Sequence, residues 1–325
     1  LPARRNFRAP NLFGTPMRRV FAPLTVIALL AAVPASHAAL KVGISDQQPA
    51  TFSNPLFAPL KFTTARYITS YDVMDHPQSR TALTQWIAAA QGAKQRVLIS
   101  FEHSYQGAKA KKAPSVAAYT KAIKKFHAAF PSVKDISPWN EVNRKIFKSG
   151  TTYQGQPIWN NPKRAAQYYM AAYKVFKGAR IIALDVLDQA NVASTVRYVQ
   201  KFRRYAKPTP KRWGIHPYSD NNRFSTKRTK ALLKATVRGE VWLTESGGIV
   251  KLGTSFPYSP TRAAKALGCM FTGAKLSKRI TRVYQYQFLG SPPLARFDAG
   301  LLNPDGTKRP GYNVVLKRKA SKCHK

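Results

Sequence analysis

Between Leu40 and Lys319, short runs rich in β-branched and aromatic residues alternate with longer runs whose apolar residues recur every three or four positions. This alternation constrains the fold more than any other feature. Strands separated by helix-length crossovers do not pair as hairpins, so they run parallel. Eight β runs can be placed, at residues 40–45, 65–69, 96–101, 133–139, 179–186, 212–217, 240–244 and 282–288. Amphipathic runs at 79–90, 115–129, 162–176, 192–205, 226–236, 260–276 and 312–319 lie between and after them. The connection after the first β run carries the weakest helical pattern. Eight such units predict an α/β fold, a (β/α)8 TIM barrel in a single domain, which takes roughly 250 residues. An open doubly wound sheet is the competing arrangement, but no Gly-x-Gly-x-x-Gly follows the first β run.

Residues 1–38 are expected to be an N-terminal extension and export signal, leaving 39–325 as the catalytic-type domain. Met17-Arg18-Arg19 supplies a positive segment, residues 21–32 an apolar run broken only by Pro23 and Thr25, and Ser36-His37-Ala38 a small-x-small cleavage site. That order is the layout of a secretory signal peptide. A membrane anchor is the alternative, although the apolar run falls short of the roughly 20 residues that cross a bilayer. The expectation is a secreted or cell-surface chain with no transmembrane segment after processing. Cys269 and Cys323 are the only cysteines. In an exported chain they could tie the tail to the body, which the sequence leaves open. Two cysteines without clustered histidines give no structural zinc site, and no metal or organic cofactor is implied.

Charge is the extreme of the composition. The chain has 54 Lys plus Arg against 13 Asp plus Glu, a formal +41. The basic residues concentrate on the helical runs, for example Lys121, Lys124 and Lys125, or Lys227, Arg228, Lys230 and Lys234. Barrel helices face outward, so this charge either solubilises the exterior or holds the protein on an anionic cell wall or acidic polysaccharide. Nucleic acid would be attracted through its phosphates, but no recognition module is present, so a specific nucleic-acid function is not expected.

A chain so poor in acid has only four Glu: Glu102, Glu141, Glu240 and Glu245. Barrel active sites are built at the C-terminal ends of strands. Glu141 follows the fourth β run and Glu245 closes the seventh, so the two face each other across the barrel mouth. Paired carboxylates in a cleft are what glycosidic bond cleavage requires, one protonated and one ionised. Glu102 follows the third run, where a structural ion pair is as good an explanation as substrate contact. Trp242, three residues before Glu245, is expected to pack in the barrel rather than to stack on a sugar.

The segments Ser137-Pro138-Trp139-Asn140-Glu141-Val142-Asn143 and Val241-Trp242-Leu243-Thr244-Glu245-Ser246 resemble the two signatures of glycoside hydrolase clan A. The resemblance implies a retaining double displacement with Glu141 as acid/base and Glu245 as nucleophile. It implies that Asn140 bonds the sugar 2-hydroxyl. Trp213-Gly214-Ile215-His216-Pro217-Tyr218 is similar to the clan's sixth-strand motif, which implies His216 and Tyr218 at the substrate, with the Tyr218 hydroxyl on the nucleophile. Arg66 stands where the clan has an arginine paired with the nucleophile, and His103 roughly where it has a substrate-binding histidine. Residues 298–312 resemble the segment that follows the eighth strand. The chain departs from the pattern at that strand's end, where Gln285, Tyr286, Gln287 and Phe288 replace the usual Trp, leaving Tyr286 as the candidate platform.

The function implied is a secreted retaining glycoside hydrolase acting on a β-linked glycan. A non-catalytic, cationic surface protein on a barrel scaffold is the alternative, because the fold hosts many functions.

Overall fold

The computed structural model describes residues 39–145, 147–149 and 152–324, together with Gly14; for 147–149 and 152–154 only the strand course is given. The proposed export signal therefore lies outside the described residues. So does the side chain of Tyr153, which the sequence places in the loop after the fourth strand.

Eight parallel strands close into one barrel. They are β1 (Lys41–Ser45), β2 (Thr64–Ser70), β3 (Arg96–Glu102), β4 (Asp135–Ser137), β5 in two pieces (Arg180–Ile181 and Asp185–Leu187), β6 (Arg212–His216), β7 (Glu240–Ser246) and β8 (Ile280–Tyr286). β1 pairs with β2 on one side and β8 on the other. The circle closes at β5, whose first piece pairs with β4 and second with β6. Between the pieces Ile182 N donates to Ile136 O and Ala183 N to Arg212 O, so one segment serves both neighbours.

Alternate residues point inward and stack in layers. At the N-terminal end the buried carboxylate of Asp135 accepts bonds from Arg96, Arg180 and Arg282, at 2.7–3.0 Å. Above it Leu98, Ile182, Trp242 and Tyr284 form the dry part of the interior. The Arg282 guanidinium lies 3.9 Å and that of Arg180 5.3 Å from the Trp242 ring, which confirms Trp242 as barrel packing. The next layer is polar. Asp185 accepts from Thr244 Oγ1 at 2.6 Å and Ser137 Oγ at 2.5 Å. Gly214 makes room for it, since a Cβ there would sit 1.6 Å from Asp185 Oδ1.

The helices wrap the barrel as α1 (Pro77–Gly92), α2 (Val116–Ala129), α3 (Pro162–Val175), α4 (Val192–Tyr205), α5 (Tyr218–Asn222), α6 (Lys227–Thr236), α7 (Pro260–Ala274) and α8 (Pro310–Leu316). Their starts are written in the sequence. Ser115, Asn161, Asn191 and Ser259 each accept a first-turn N–H at the caps of α2, α3, α4 and α7, and Pro162 and Pro260 stand at first-turn positions. Apolar faces such as Tyr119, Ile123 and Phe126 of α2 are buried, whereas Lys121, Lys124 and Lys125 on the same helix are exposed. Among the described residues no helix is long and apolar enough to cross a membrane.

Several expectations need correction. No α-helix follows β1; its connection holds 3-10 turns at Pro49–Ser53 and Ala58–Leu60, because Pro49, Pro55 and Pro59 interrupt any longer helix. The fourth strand is three residues long rather than seven, and Trp139 packs outside the barrel against Tyr168. α5 escaped the sequence pattern, as did the antiparallel ribbon at 147–149 and 152–154. Cys269 and Cys323 are bonded, with Cα atoms 5.5 Å apart, which fastens the tail to α7.

Asp135 carries the clearest stability prediction. Burial alone would raise its pKa, but the hydrogen bonds and charges of Arg180 and Arg96 hold it below the ordinary carboxylate value. A depressed folded pKa stabilises above the unfolded value and is lost as pH falls through the folded one. Asp135→Asn should remove about 3–5 kcal/mol at neutral pH, read by urea unfolding, because three guanidinium groups lose their common partner. The deficit should shrink below about pH 4. A neutral-pH loss under about 1 kcal/mol would show that the cluster does not hold the barrel floor.

Candidate active site

Two backbone irregularities aim the two glutamates. Along β7 the pairing with β8 slips between Leu243 and Ser246, three steps on one strand matching two on the other. This bulge lets consecutive side chains both turn into the barrel, Thr244 to Asp185 and Glu245 to Arg66. At the end of β4, Glu141 adopts a left-handed backbone with φ of 42°. Such a conformation in a non-glycine residue costs roughly 1–3 kcal/mol and collects at functional sites. It puts Glu141 and its neighbour Asn140 on the same inner side. A carboxylate oxygen of Glu141, one of Glu245 and a ring nitrogen of His216 lie within 4.8 Å of one another. All three residues are buried.

Arg66 sits beneath them, wholly buried. Its Nη1 donates to Glu245 Oε2 at 2.6 Å and to Ser45 Oγ at 3.1 Å, its Nη2 to Asn140 Oδ1 at 2.7 Å, and its Nε to Ser100 Oγ at 2.9 Å. Asp185 lies 3.6 Å away and completes the charge balance. Burial opposes the guanidinium's charge, but Glu245 and Asp185 outweigh it and hold the group protonated. On its other oxygen Glu245 accepts from the Tyr218 hydroxyl at 3.0 Å. Burial, and then the charge of Glu245, push the Tyr218 phenol well up, so it remains a donor. Glu245 thus carries one buried cation and one neutral donor, one on each oxygen.

Glu141 is held differently. Oε2 accepts from Arg144 Nη1 at 2.8 Å, and Oε1 lies 3.2 Å from His216 Nδ1. Burial would raise its pKa, but the charges and hydrogen bonds of Arg144 and His216 bring it down to about 2. With these partners in place Glu141 is a carboxylate at any ordinary pH. A proton donor it can be only after one of them lets go.

Of the sequence-singled residues, Arg66, Asn140, Glu141, His216, Tyr218 and Glu245 come together. His103 does not join them by hydrogen bond. Its Nδ1 is 2.9 Å from Ser104 O and its ring packs on Tyr105. Tyr286, half-buried, packs on Phe297 and lines a hollow of about 600 Å³ beside Asp46 and Phe288. Burial first, then the nearby Glu245 charge, raise its phenol. Glu102 adjoins the cluster: its Oε2 accepts from Asn140 Nδ2 at 3.1 Å and from Gln156 Nε2 at 3.0 Å. Asn140 is therefore oriented at both ends, by Arg66 and by Glu102. Asp185 and Arg144 went unnoticed in the sequence. An aspartate within the mostly apolar stretch 181–187 of an acid-poor chain was the available signal for the first. Nothing but its place three residues after Glu141 marked the second.

The cluster of Glu141, His216 and Glu245 has the donor types of a metal site. Both carboxylates, however, already carry a guanidinium at 2.6 and 2.8 Å. A divalent cation would have to enter against those two positive charges, so the donor set does not suit one. A hollow of about 810 Å³ is an outer groove between α2 and α3 and is not part of this site.

No protein-family model matches the chain, and no curated protein matches it. Solved structures do. A GH5_18 protein from Streptomyces cattleya in complex with GlcNAc superposes with a TM-score of 0.63 at 14% identity, over 89% of this chain and 82% of that one. Xylanase 10B from Thermotoga maritima gives 0.61 at 14% identity, over 87% and 97%. A family 39 glycoside hydrolase from Bacteroides cellulosilyticus WH2 gives 0.61 at 16% identity, over 86% and 63%. The chain has the (β/α)8 fold of these glycosidases, as its sequence pattern and clan A resemblance predict.

With only four Glu in the chain, carboxyl carbon NMR can follow each one. The Glu141 signal should stay ionised to about pH 2–3 in the unliganded protein and move up by at least about one unit in Arg144→Met. A Glu141 midpoint already near the ordinary value of about 4.3 would mean the Arg144 pair is not formed in solution.

Proposed function

We propose that the chain is a retaining glycoside hydrolase that cleaves a β-linked glycan by double displacement. The observation that carries the proposal is the pair of buried carboxylates, Glu141 and Glu245, meeting within 4.8 Å at the C-terminal mouth of a closed barrel. An approach of one oxygen from each group to within 4.8 Å favours the short spacing of about 5–5.5 Å used for covalent catalysis over the roughly 6.5–9.5 Å that leaves room for a water.

In the first step Glu245 attacks the anomeric carbon. Arg66 and Tyr218 hold it aimed; its lone pair forms the glycosyl ester as the bond to the departing oxygen breaks, and the negative charge ends on Glu141 once that oxygen has taken its proton. Glu141 gives a proton to the departing oxygen, then takes one from water in the second step, which releases the sugar with its original configuration. Asn140, fixed by Arg66 and Glu102, is placed to bond a sugar hydroxyl that gains acidity in the transition state. Export to an oxidising compartment is part of the same proposal, supported by the Cys269–Cys323 bond and the signal-like residues 1–38. The outward lysines support retention on an anionic wall or polysaccharide.

A screen of aryl glycosides and β-linked polysaccharides tests the activity. Glu245→Gln should lower turnover by about a thousandfold or more on every substrate cleaved. Glu141→Gln should lose a similar factor on sugars with poor leaving groups and much less on activated aryl glycosides, whose departure needs no proton. Hydrolysis that survives Glu245→Gln at more than about a tenth of the wild-type rate would remove it from the nucleophile's role.

A further inference from the structure

We propose that Arg144 is the receptor for the carboxylate of a uronic acid in the leaving-group subsite, and that binding it releases Glu141 to act as the acid. The inference rests on the glycosidase reading and names the substrate class for that site.

The geometry sets the problem. Both oxygens of Glu141 are engaged, Oε1 by His216 and Oε2 by Arg144. With a guanidinium against one oxygen and a ring nitrogen against the other, neither oxygen of Glu141 is open to a glycosidic oxygen. One neighbour must leave before the glycosidic oxygen can be protonated. His216 is wholly buried on β6 and cannot swing away. The Arg144 side chain is 35% exposed and starts from the turn that follows β4. It is the partner that can exchange.

A guanidinium exchanges most readily to a group that reproduces what it gives up. An incoming carboxylate offers the same planar pair of oxygens as Glu141, whereas a neutral sugar hydroxyl leaves the cation with a weaker partner. Because Arg144 sits on the acid's own oxygen, the receiving subsite is the one holding the departing sugar. Moving Arg144 onto a substrate carboxylate takes a positive charge off Glu141 and brings a negative one near it. Both changes favour the protonated acid. No bond forms or breaks in this exchange; one ion pair replaces another, and Glu141 takes its proton from solvent.

The surroundings carry the same sign. Next to Arg144 the exposed Lys145 rests its ammonium 5.6 Å over the half-buried Trp159 ring, which puts a second cation and an aromatic face on this wall. Of the thirteen acids, Asp46, Asp72, Asp135, Asp185, Asp188, Asp220, Asp298, Glu141 and Glu245 are buried, and only Asp75 and Asp305 are exposed. The exterior therefore presents almost unopposed positive charge to an approaching polymer. That field alone would concentrate any polyanion, so the test must isolate Arg144 from it.

Hyaluronan, chondroitin and glucuronoxylan, each paired with its carboxyl-reduced form, supply matched substrates at constant salt. The wild type should cleave at least one acidic form with kcat/KM about tenfold or more above its reduced partner, and Arg144→Met should bring that ratio to within about threefold of unity. Arg144→Lys, which keeps the charge but not the fork, should recover only part of the ratio. Equilibrium binding of the same pairs to Glu245→Gln, with and without Arg144→Met, reads the preference without turnover. Equal cleavage of acidic and reduced forms by the wild type would overturn the proposal while leaving the glycosidase reading intact. A preference that survives Arg144→Met would assign it to the surface field and overturn the proposal too. Cleavage of none of these polymers, acidic or reduced, would also overturn the proposal, while the glycosidase reading is decided separately by the aryl-glycoside and polysaccharide screen.

Discussion

One buried guanidinium organises the mouth of this barrel. Arg66 rises from β2 and bonds or pairs with groups from β1, β3, β5, β7 and the end of β4: Ser45, Ser100, Asp185, Glu245 and Asn140. A charge so deep is tolerable only when paired and fully hydrogen-bonded. Asp185 supplies one countercharge from below and Glu245 the other from above. Because Asp185 is itself tied to Ser137 and Thr244, the carboxylate that faces the cleft is fixed through two layers of side chains rather than by its own rotamer. Glu245 is held in one geometry before any sugar arrives, and such preorganisation is what electrostatic catalysis relies on.

The two acids of the pair stand in opposite relations to their surroundings. Glu245 has a fixed, buried cation that cannot leave. Glu141 has a half-exposed one that can. The asymmetry follows from where each cation is rooted, Arg66 inside a strand and Arg144 in a turn. It assigns a permanent charge to the residue that must attack and a removable one to the residue that must alternate between acid and base. A related division of charge holds among the described residues, with most acids buried and the lysines outside.

Much of this was legible in the sequence. The strand–helix alternation, the proline and serine or asparagine starts of α3 and α7, and the scarcity of Glu led to the barrel and to the two carboxylates. Local pattern could not show the rest. The connection after β1 lost its helix to three prolines. β4 shortened because the chain leaves the ladder early to turn Glu141 inward, and β5 split because it serves two neighbours at once. Asp185 went unnoticed because its partner Arg66 is 119 residues away (185 − 66). Pairings of that kind belong to the closed barrel and have no short-range signature. The roles read from clan A motifs concern residues that do meet, except His103, which turns to its own loop.

The central claim is that Glu245 becomes covalently bonded to a sugar. The direct measurement is peptide mass spectrometry after incubation with a 2-deoxy-2-fluoro glycoside, with an activated leaving group, of whichever sugar the screen identifies. The account predicts a single added fluoro-sugar on the peptide containing Glu245, absent in Glu245→Gln. An adduct on any other residue, or turnover of the parent substrate with inverted anomeric configuration, would contradict it.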